Sequence, residues 1–196
     1  MRSTRWACAV VLGAFAVGTA GCAGAADAPA PAAERVVQAH AYAVDSSPES
    51  AIRFFDNVYV VEGTVAAVEP DRRVTETPPG GRPLEAVYTP VTLVVERSYR
   101  GDAAVGSRLT VRSMGGTADG LRFTIGEAPA KDTFAPGTRL VVFAGPRSTL
   151  GLEPAPAVTP HFVYRQVGDH FVDETYAETP DAARATITVA ELRAKL

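Results

Sequence analysis

The sequence predicts a mainly-β domain, a single small antiparallel barrel or sandwich with one short helix ahead of its strands and one at its C-terminal end. Three observations predict it. Short runs rich in Val, Leu, Phe and Thr alternate apolar with polar residues between 57 and 174. Glycine and proline, 17 and 15 of the 196 residues, gather between those runs where turns are needed. Helix-start signals stand at Ser46-Ser47-Pro48, before the runs, and at Thr188, after them.

The N-terminal element is a targeting segment. Met1–Arg5 carries two arginines and no acid, Trp6–Val17 is apolar or small throughout, and Gly18–Gly21 leads in small residues to Cys22, the three-part plan of a secretory signal. An apolar run of about 12 residues reaches only ~18 Å as a helix, short of the ~30 Å hydrocarbon core, so residues 1–21 suit a cleaved signal better than a permanent span. Thr19-Ala20-Gly21-Cys22 resembles the lipobox of bacterial lipoprotein precursors, and the resemblance covers residues 1–22. It implies cleavage between Gly21 and Cys22, diacylation of the Cys22 thiol and attachment of the product to the cell membrane, facing away from the cytoplasm. Thr19 departs from the Leu or Val usual in that family, and the alternative is an ordinary secretory signal cut after an alanine between Ala20 and Ala26. Two or three acyl chains, at ~0.8 kcal/mol per buried methylene, hold a protein stably, so membrane lipid is the first expected partner.

Residues 22–33 are almost wholly Ala, Pro and Gly and read as an extended tether, leaving 34–196 as one globular domain. Val36, Val37, Tyr42 and Val44 alternate enough for an early strand or an ordered arm. Ser47 and Pro48 start a short helix ending near Phe55 or Asp56, with Ile52, Phe55 and Val58 on its packing face. Residues 57–69 form a strand in which Tyr59, Val61, Val65 and Ala67 share the core face while Glu62 and Thr64 are wet, with Gly63 a bulge. Pro70–Pro83 reads as an exposed loop.

Residues 85–99 are the clearest strand, with Val87, Val91, Leu93 and Val95 on one face and Pro90 at an edge or bulge. Arg100-Gly101-Asp102 is turn chemistry; as an adhesion triplet it is too short to carry weight. Leu109 and Val111 point inward against Arg108, Thr110 and Arg112, and with Leu121, Phe123 and Ile125 they suggest a hairpin or adjacent strands. Leu140–Ala144, apolar on both faces, is the expected central strand. His161–Val167 and His170–Glu174 flank a Gly168-Asp169 turn, and a helix from Val189 to Leu196 presents Val189, Leu192 and Leu196 as one stripe. The Val61–Val65 strand, the long strand ending Tyr99-Arg100-Gly101, the Met114-Gly115-Gly116 break and the Pro-Gly-led apolar strand together resemble secreted bacterial domains with OB-like barrels, over residues 57–145. Such domains mostly lack an assigned activity, so the likeness bears on fold.

Composition narrows the function. The net charge is −3, and removing residues 1–21 takes away Arg2 and Arg5 and no acid, leaving 17 basic against 22 acidic side chains, or −5. Nucleic-acid binding needs clustered cations, and here arginines lie singly or in the pair Arg72-Arg73. Once Cys8 is removed with the signal and Cys22 is acylated, no thiol is left for a disulfide or a nucleophile. Elbow, zincin, calcium-loop, Walker and dinucleotide motifs are absent, so neither catalysis nor a cofactor is expected. The best chemical constellation is His161, Asp169, His170, Asp173 and Glu174, which a hairpin could gather around zinc or copper; the plain alternative is solvated polar residues. A second candidate is ligand or protein binding on the face beside the Pro70–Pro83 loop, where Arg72, Arg73 and Arg82 are placed to meet an anionic envelope polymer or a protein partner. The expectation is an anchored, non-catalytic binding or structural module, with an enzymatic or metal-carrying lipoprotein using His161 and His170 as the alternative.

Overall fold

Seventeen residues of unbroken extended chain, β4 (Leu84–Arg100), organise the fold. The computed structural model describes residues 34–39, 45–54, 57–76, 83–125, 128–147, 157–175 and 184–196, all within one unit, Ala33–Leu196. The signal 1–21, Gly21 and Cys22, the tether 22–33, and Tyr42, Val44, Phe55 and Arg82 lie outside the described residues.

One edge of β4 pairs with β2 (Tyr59–Val68) along residues 91–100 and with β3 (Arg72–Glu76) along residues 84–88. The other edge pairs with β5 (Arg108–Met114). Pro90 falls at the hand-over from β2 to β3, where its carbonyl accepts from Glu69 N at 2.9 Å. A strand residue sends its N–H and C=O to the same edge, so the donor that proline lacks faces this gap. The expected loop Pro70–Pro83 therefore contains a strand. Arg72, Arg73, Thr75 and Glu76 carry no apolar alternation around buried Val74, and backbone pairing with β4 is what makes β3.

Beyond β2 the sheet continues through β8 (Arg139–Ala144), β9 (Pro160–Val167), β10 (His170–Asp173) and β11 (Thr186–Thr188). A separate sheet orders β1 (Arg35–Ala39), β7 (Leu121–Ile125) and β6 (Gly116–Ala118), with β1 and β7 parallel. The fold is mainly β but not wholly antiparallel, and among the described residues the sheets do not close into a barrel. An isolated parallel bridge links Val111 of β5 to Val158, ahead of β9, by Arg112 N to Val158 O and Val158 N to Thr110 O, each 2.9 Å. The segments 109–113 and 121–125 do not pair with each other as expected, because β6 intervenes and turns back on β7 through Asp119-Gly120, both at positive φ.

The apolar alternation fills two sides of the sheet. Val61 and Val65 of β2, Val91, Leu93 and Val95 of β4, Leu109 and Val111 of β5, and Leu140 and Val142 of β8 form the inner cluster. On the other side Val60, Val141, Phe143, Phe162, Tyr164 and Phe171 are covered by α1 (Pro48–Arg53) and α2 (Val189–Lys195). Both helices start where the sequence places them: Ser47 Oγ accepts from Ser50 N, and Thr188 and Glu191 complete a capping box. Ile52 and Phe54 pack from α1 and its end, while Val58, expected on that face, is exposed. Val189, Leu192 and Leu196 pack from α2 as one stripe.

Three expected orientations change. Ala67 is exposed because a bulge between Val65 and Ala67 shifts it out of the inner face. Gly63 sits at a second register shift as expected, and a Cβ there would lie 2.5 Å from Val94 O. Glu62, expected wet, is completely buried, and so is Arg112, expected outward on β5. Glu62 keeps its charge because arginines cover it. Arg112 Nη1 donates to Ala157 O at 3.0 Å and Thr159 Oγ1 at 3.2 Å, and its guanidinium lies 6.0 Å from the Tyr88 ring centroid.

Candidate functional site

The histidine constellation comes apart in the folded chain. His170 pairs with Val167 across the hairpin, whereas His161 lies six residues back along β9, which at ~3.3 Å per residue separates the two histidines by ~20 Å. His161 is half-buried, with Nδ1 3.0 Å from Asn57 Oδ1 and its ring 5.1 Å from Phe54. Since Asn57 Nδ2 donates to Ala51 O at 2.7 Å, its Oδ1 is the acceptor, and the His161 proton sits on Nδ1. His170 is exposed and pairs with Asp169 at 2.6 Å. Asp173 accepts from Ser46 Oγ and from Thr175 N, and buried Glu174 is held by Arg165 and Arg184. Among the described residues no group of three or more His, Cys, Asp or Glu side chains is placed to hold a metal.

Two of the three arginine candidates, Arg72 and Arg73, are engaged as well. Arg72 pairs with Glu69, and Arg73 reaches Glu85 and Asp119 O. Arg100 donates to Asn57 O at 3.0 Å and Asp102 accepts from Tyr59 OH at 2.5 Å, so both charged side chains of the Arg-Gly-Asp turn are bonded within the domain.

The residues that do converge are ones sequence reasoning passed over. Asp71, in the turn between β2 and β3, accepts from Thr89 Oγ1 of β4 at 2.6 Å and from Thr117 N of β6 at 2.8 Å. Lys131, which opens a 3-10 turn (Lys131–Phe134), sets Nζ 3.1 and 2.9 Å from the two Asp71 oxygens. Burial pushes the Asp71 carboxyl up, but the hydrogen bonds from Thr89, Thr117 and Lys131 outweigh it and hold it below its ordinary value. Gly116 permits this approach: its φ is +133°, and a Cβ there would lie 2.2 Å from Asp71 Oδ2. The glycine pair that reads in sequence only as a break is thus the place where a carboxylate meets the backbone of β6.

Two cavities share Asp71 and Lys131. The larger, about 300 Å³, is floored by Met114, Phe123, Ile125, Ala128 and Pro129, with Arg122 at its side. The smaller, about 170 Å³, runs between the start of β3 and Phe134, past the hydroxyls of buried Thr89 and Ser113. An apolar floor with a few fixed charges at one wall is the usual make-up of a small-molecule site. Lys131 was the available signal: it is one of only two lysines in the chain, beside Lys195.

Glu62 is the second charged centre. Arg193 of α2 lies 2.5 Å from Oε1 and 3.1 Å from Oε2, Tyr99 OH donates to Oε2 at 2.9 Å, and Arg139 Nε lies 3.1 Å from Oε1. Arg139 also pairs with Glu96, and Arg97 stands 3.8 Å from Oε2. Burial pushes the Glu62 carboxyl up; hydrogen bonds from Arg193 and Tyr99 and the charges of Arg193 and Arg139 bring it below its ordinary value. This centre ties a helix to the sheet. No protein-family model, no curated protein and no solved structure matches this chain, so the Asp71 cleft stands on its own geometry.

Proposed function

We propose that this is a bacterial cell-envelope lipoprotein, cut before Cys22 and held on the cell membrane by acyl chains there, whose β domain is a non-catalytic binding module seated at the Asp71–Lys131 cleft. What supports the anchor is Thr19-Ala20-Gly21-Cys22 behind an apolar run too short to span a bilayer. What supports binding is one observation: a cleft of about 300 Å³ with an apolar floor, walled by the Asp71–Lys131 charge pair, whose carboxylate Thr89 and Thr117 also hold. Asp71 has its oxygens filled by donors and a carboxyl held low, which suits a positioning group better than a general base. The OB-like reading of residues 57–145 draws support from the Val111–Val158 bridge, which carries the β5 edge round toward β9.

Two measurements test this reading. Mass spectrometry of the purified product should find Cys22 acylated at a new N-terminus, and Cys22→Ser should release the protein from membranes; an unmodified thiol, or a start elsewhere, overturns the anchor. The chain has two methionines, Met1 and Met114, so with methyl-13C methionine Met114 is a single reporter in the cleft. A small-molecule envelope extract should shift its signal, and a signal that stays put overturns the binding module.

A further inference from the structure

We propose that β1 is a displaceable strap bracing the wall of the Asp71–Lys131 cleft, so that lifting it off β7 loosens the cleft while the rest of the fold stays shut. The use of such a strap rests on the binding-module reading; its existence does not. Register makes the connection. In the parallel β1–β7 pair Val37 lies beside Phe123 and Ala39 beside Ile125, and Phe123 and Ile125 line the larger cavity with Met114. Partners in register share a face of the sheet, and Val37, Ala39, Met114 and Ile125 all pack on one cluster of Val87, Leu121 and Phe123. β1 is thus the side support of the apolar floor.

Weak attachment makes it displaceable. None of the five β1 residues is buried, Val36 is 59% exposed, and among the described residues β7 is the only strand paired with β1. β7, by contrast, keeps β6 on its other edge and buries Leu121 and Phe123 against Val87. The ion pairs at β1 and its start, Arg35 with Glu85 and Glu34 with Arg122, lie at the surface, the two arginine side chains being 54% and 57% exposed. Exposed pairs contribute little, and an element with few buried contacts opens ahead of its neighbours. The expected tether, residues 22–33, leads into β1, so a pull from that side meets it before any other described element.

Amide hydrogen exchange of the purified full chain tests this within one strand. Arg35 N donates to Gly120 O at 2.9 Å, and in a parallel pair a residue bonds both neighbours of its partner, so the amides of Arg122 and Thr124 point to β1. The Phe123 amide points the other way, to Gly116 of β6. Protection factors of Arg122 and Thr124 should be at least about tenfold below that of Phe123. Val37→Asp puts a charge on the packed face of β1 and should lower them about tenfold further. It should also lower protection a few-fold at Thr117, whose N–H donates to Asp71 at the cleft, and leave Gly63 of β2 unchanged. Val36→Asp, on the exposed face, should do none of this. If Arg122, Phe123 and Thr124 exchange alike, or Val37→Asp opens Gly63 as well, β1 does not lift by itself and the strap is overturned. If Val37→Asp frees Arg122 and Thr124 but not Thr117, the brace on the cleft is overturned. No ligand enters this experiment, so the strap can fail while an envelope extract still moves the Met114 signal, and the reverse.

Discussion

Arg193 on α2 reaches back 131 residues to Glu62 on β2 and closes on both carboxylate oxygens, 2.5 Å from Oε1 and 3.1 Å from Oε2. A fully buried carboxylate on an outward-facing sheet position is thereby kept charged by the helix that covers it. The apolar stripe of Leu192 and Leu196 seats α2, and Glu62 fixes its register on the strands.

Removing that charge strands Arg193 and its companions. Glu62→Gln should lower the unfolding free energy by about 3 kcal/mol, the range for breaking one side of a buried ion pair. Urea unfolding gives the number, and hydrogen exchange should show the amides of Val189–Lys195 opening first. A loss under about 0.5 kcal/mol, the level of a surface substitution, sinks this account.

Acid should act through the same two carboxylates. Glu62 and Asp71 both have depressed values in the folded chain, below ordinary values of 4.5 and 3.8. In the unfolded chain they take up protons first, so their contribution is complete above those ordinary values. It falls as the pH drops through them toward the folded values. The acid limb of a stability–pH profile should therefore be shallower in Glu62→Gln than in the parent chain, and an identical limb contradicts the assignment.

Two neighbouring glycines separate crowding from backbone strain. Gly120, at φ +70°, has nothing within 4 Å of an added Cβ, so Gly120→Ala should cost only the left-handed penalty of about 1 kcal/mol. Gly116→Ala adds a collision with the Asp71 carboxylate and should cost about 3 kcal/mol, with the Met114 signal displaced. Equal losses at the two sites contradict the contact between Asp71 and β6.

The histidines should separate just as cleanly. His170→Ala, exposed and paired with exposed Asp169, should change stability by under about 0.5 kcal/mol. His161→Ala removes the partner of buried Asn57 Oδ1 and a ring contact with Phe54, and should cost about 2 kcal/mol. Thermal unfolding of both variants checks the order, and a zinc titration abolished by either one contradicts their separation.

Much of this architecture is written locally in the chain. Val87, Val91, Leu93 and Val95 mark one face of β4 at the spacing a strand needs, and Thr188 with Glu191 writes its own capping box. The candidate cleft is not written that way. Asp71 follows Pro70 in a stretch that looks like loop, and its partners Thr89, Thr117 and Lys131 lie 18, 46 and 60 residues away. Glu62 and Arg112 alternate with apolar residues as a solvent-facing set does, and only distant groups, Arg193 for one and Ala157 with Thr159 for the other, reveal that they are covered. Strand periodicity reports which residues share a side, not what eventually lies over it.

The junction between Val111 and Val158 carries a kinetic meaning. Where β2 and β4 are zipped along most of their length, this seam has two main-chain hydrogen bonds, riveted by the Arg112 guanidinium on Ala157 and Thr159. It joins strand β5 to the segment ahead of β9 at one bridge, against the continuous ladders of β2 with β4 and β8. Held by two main-chain hydrogen bonds rather than a ladder, the seam should part before the sheet beside it, and the amides of Arg112 and Val158 should exchange with solvent before those of Gly63 or Val142.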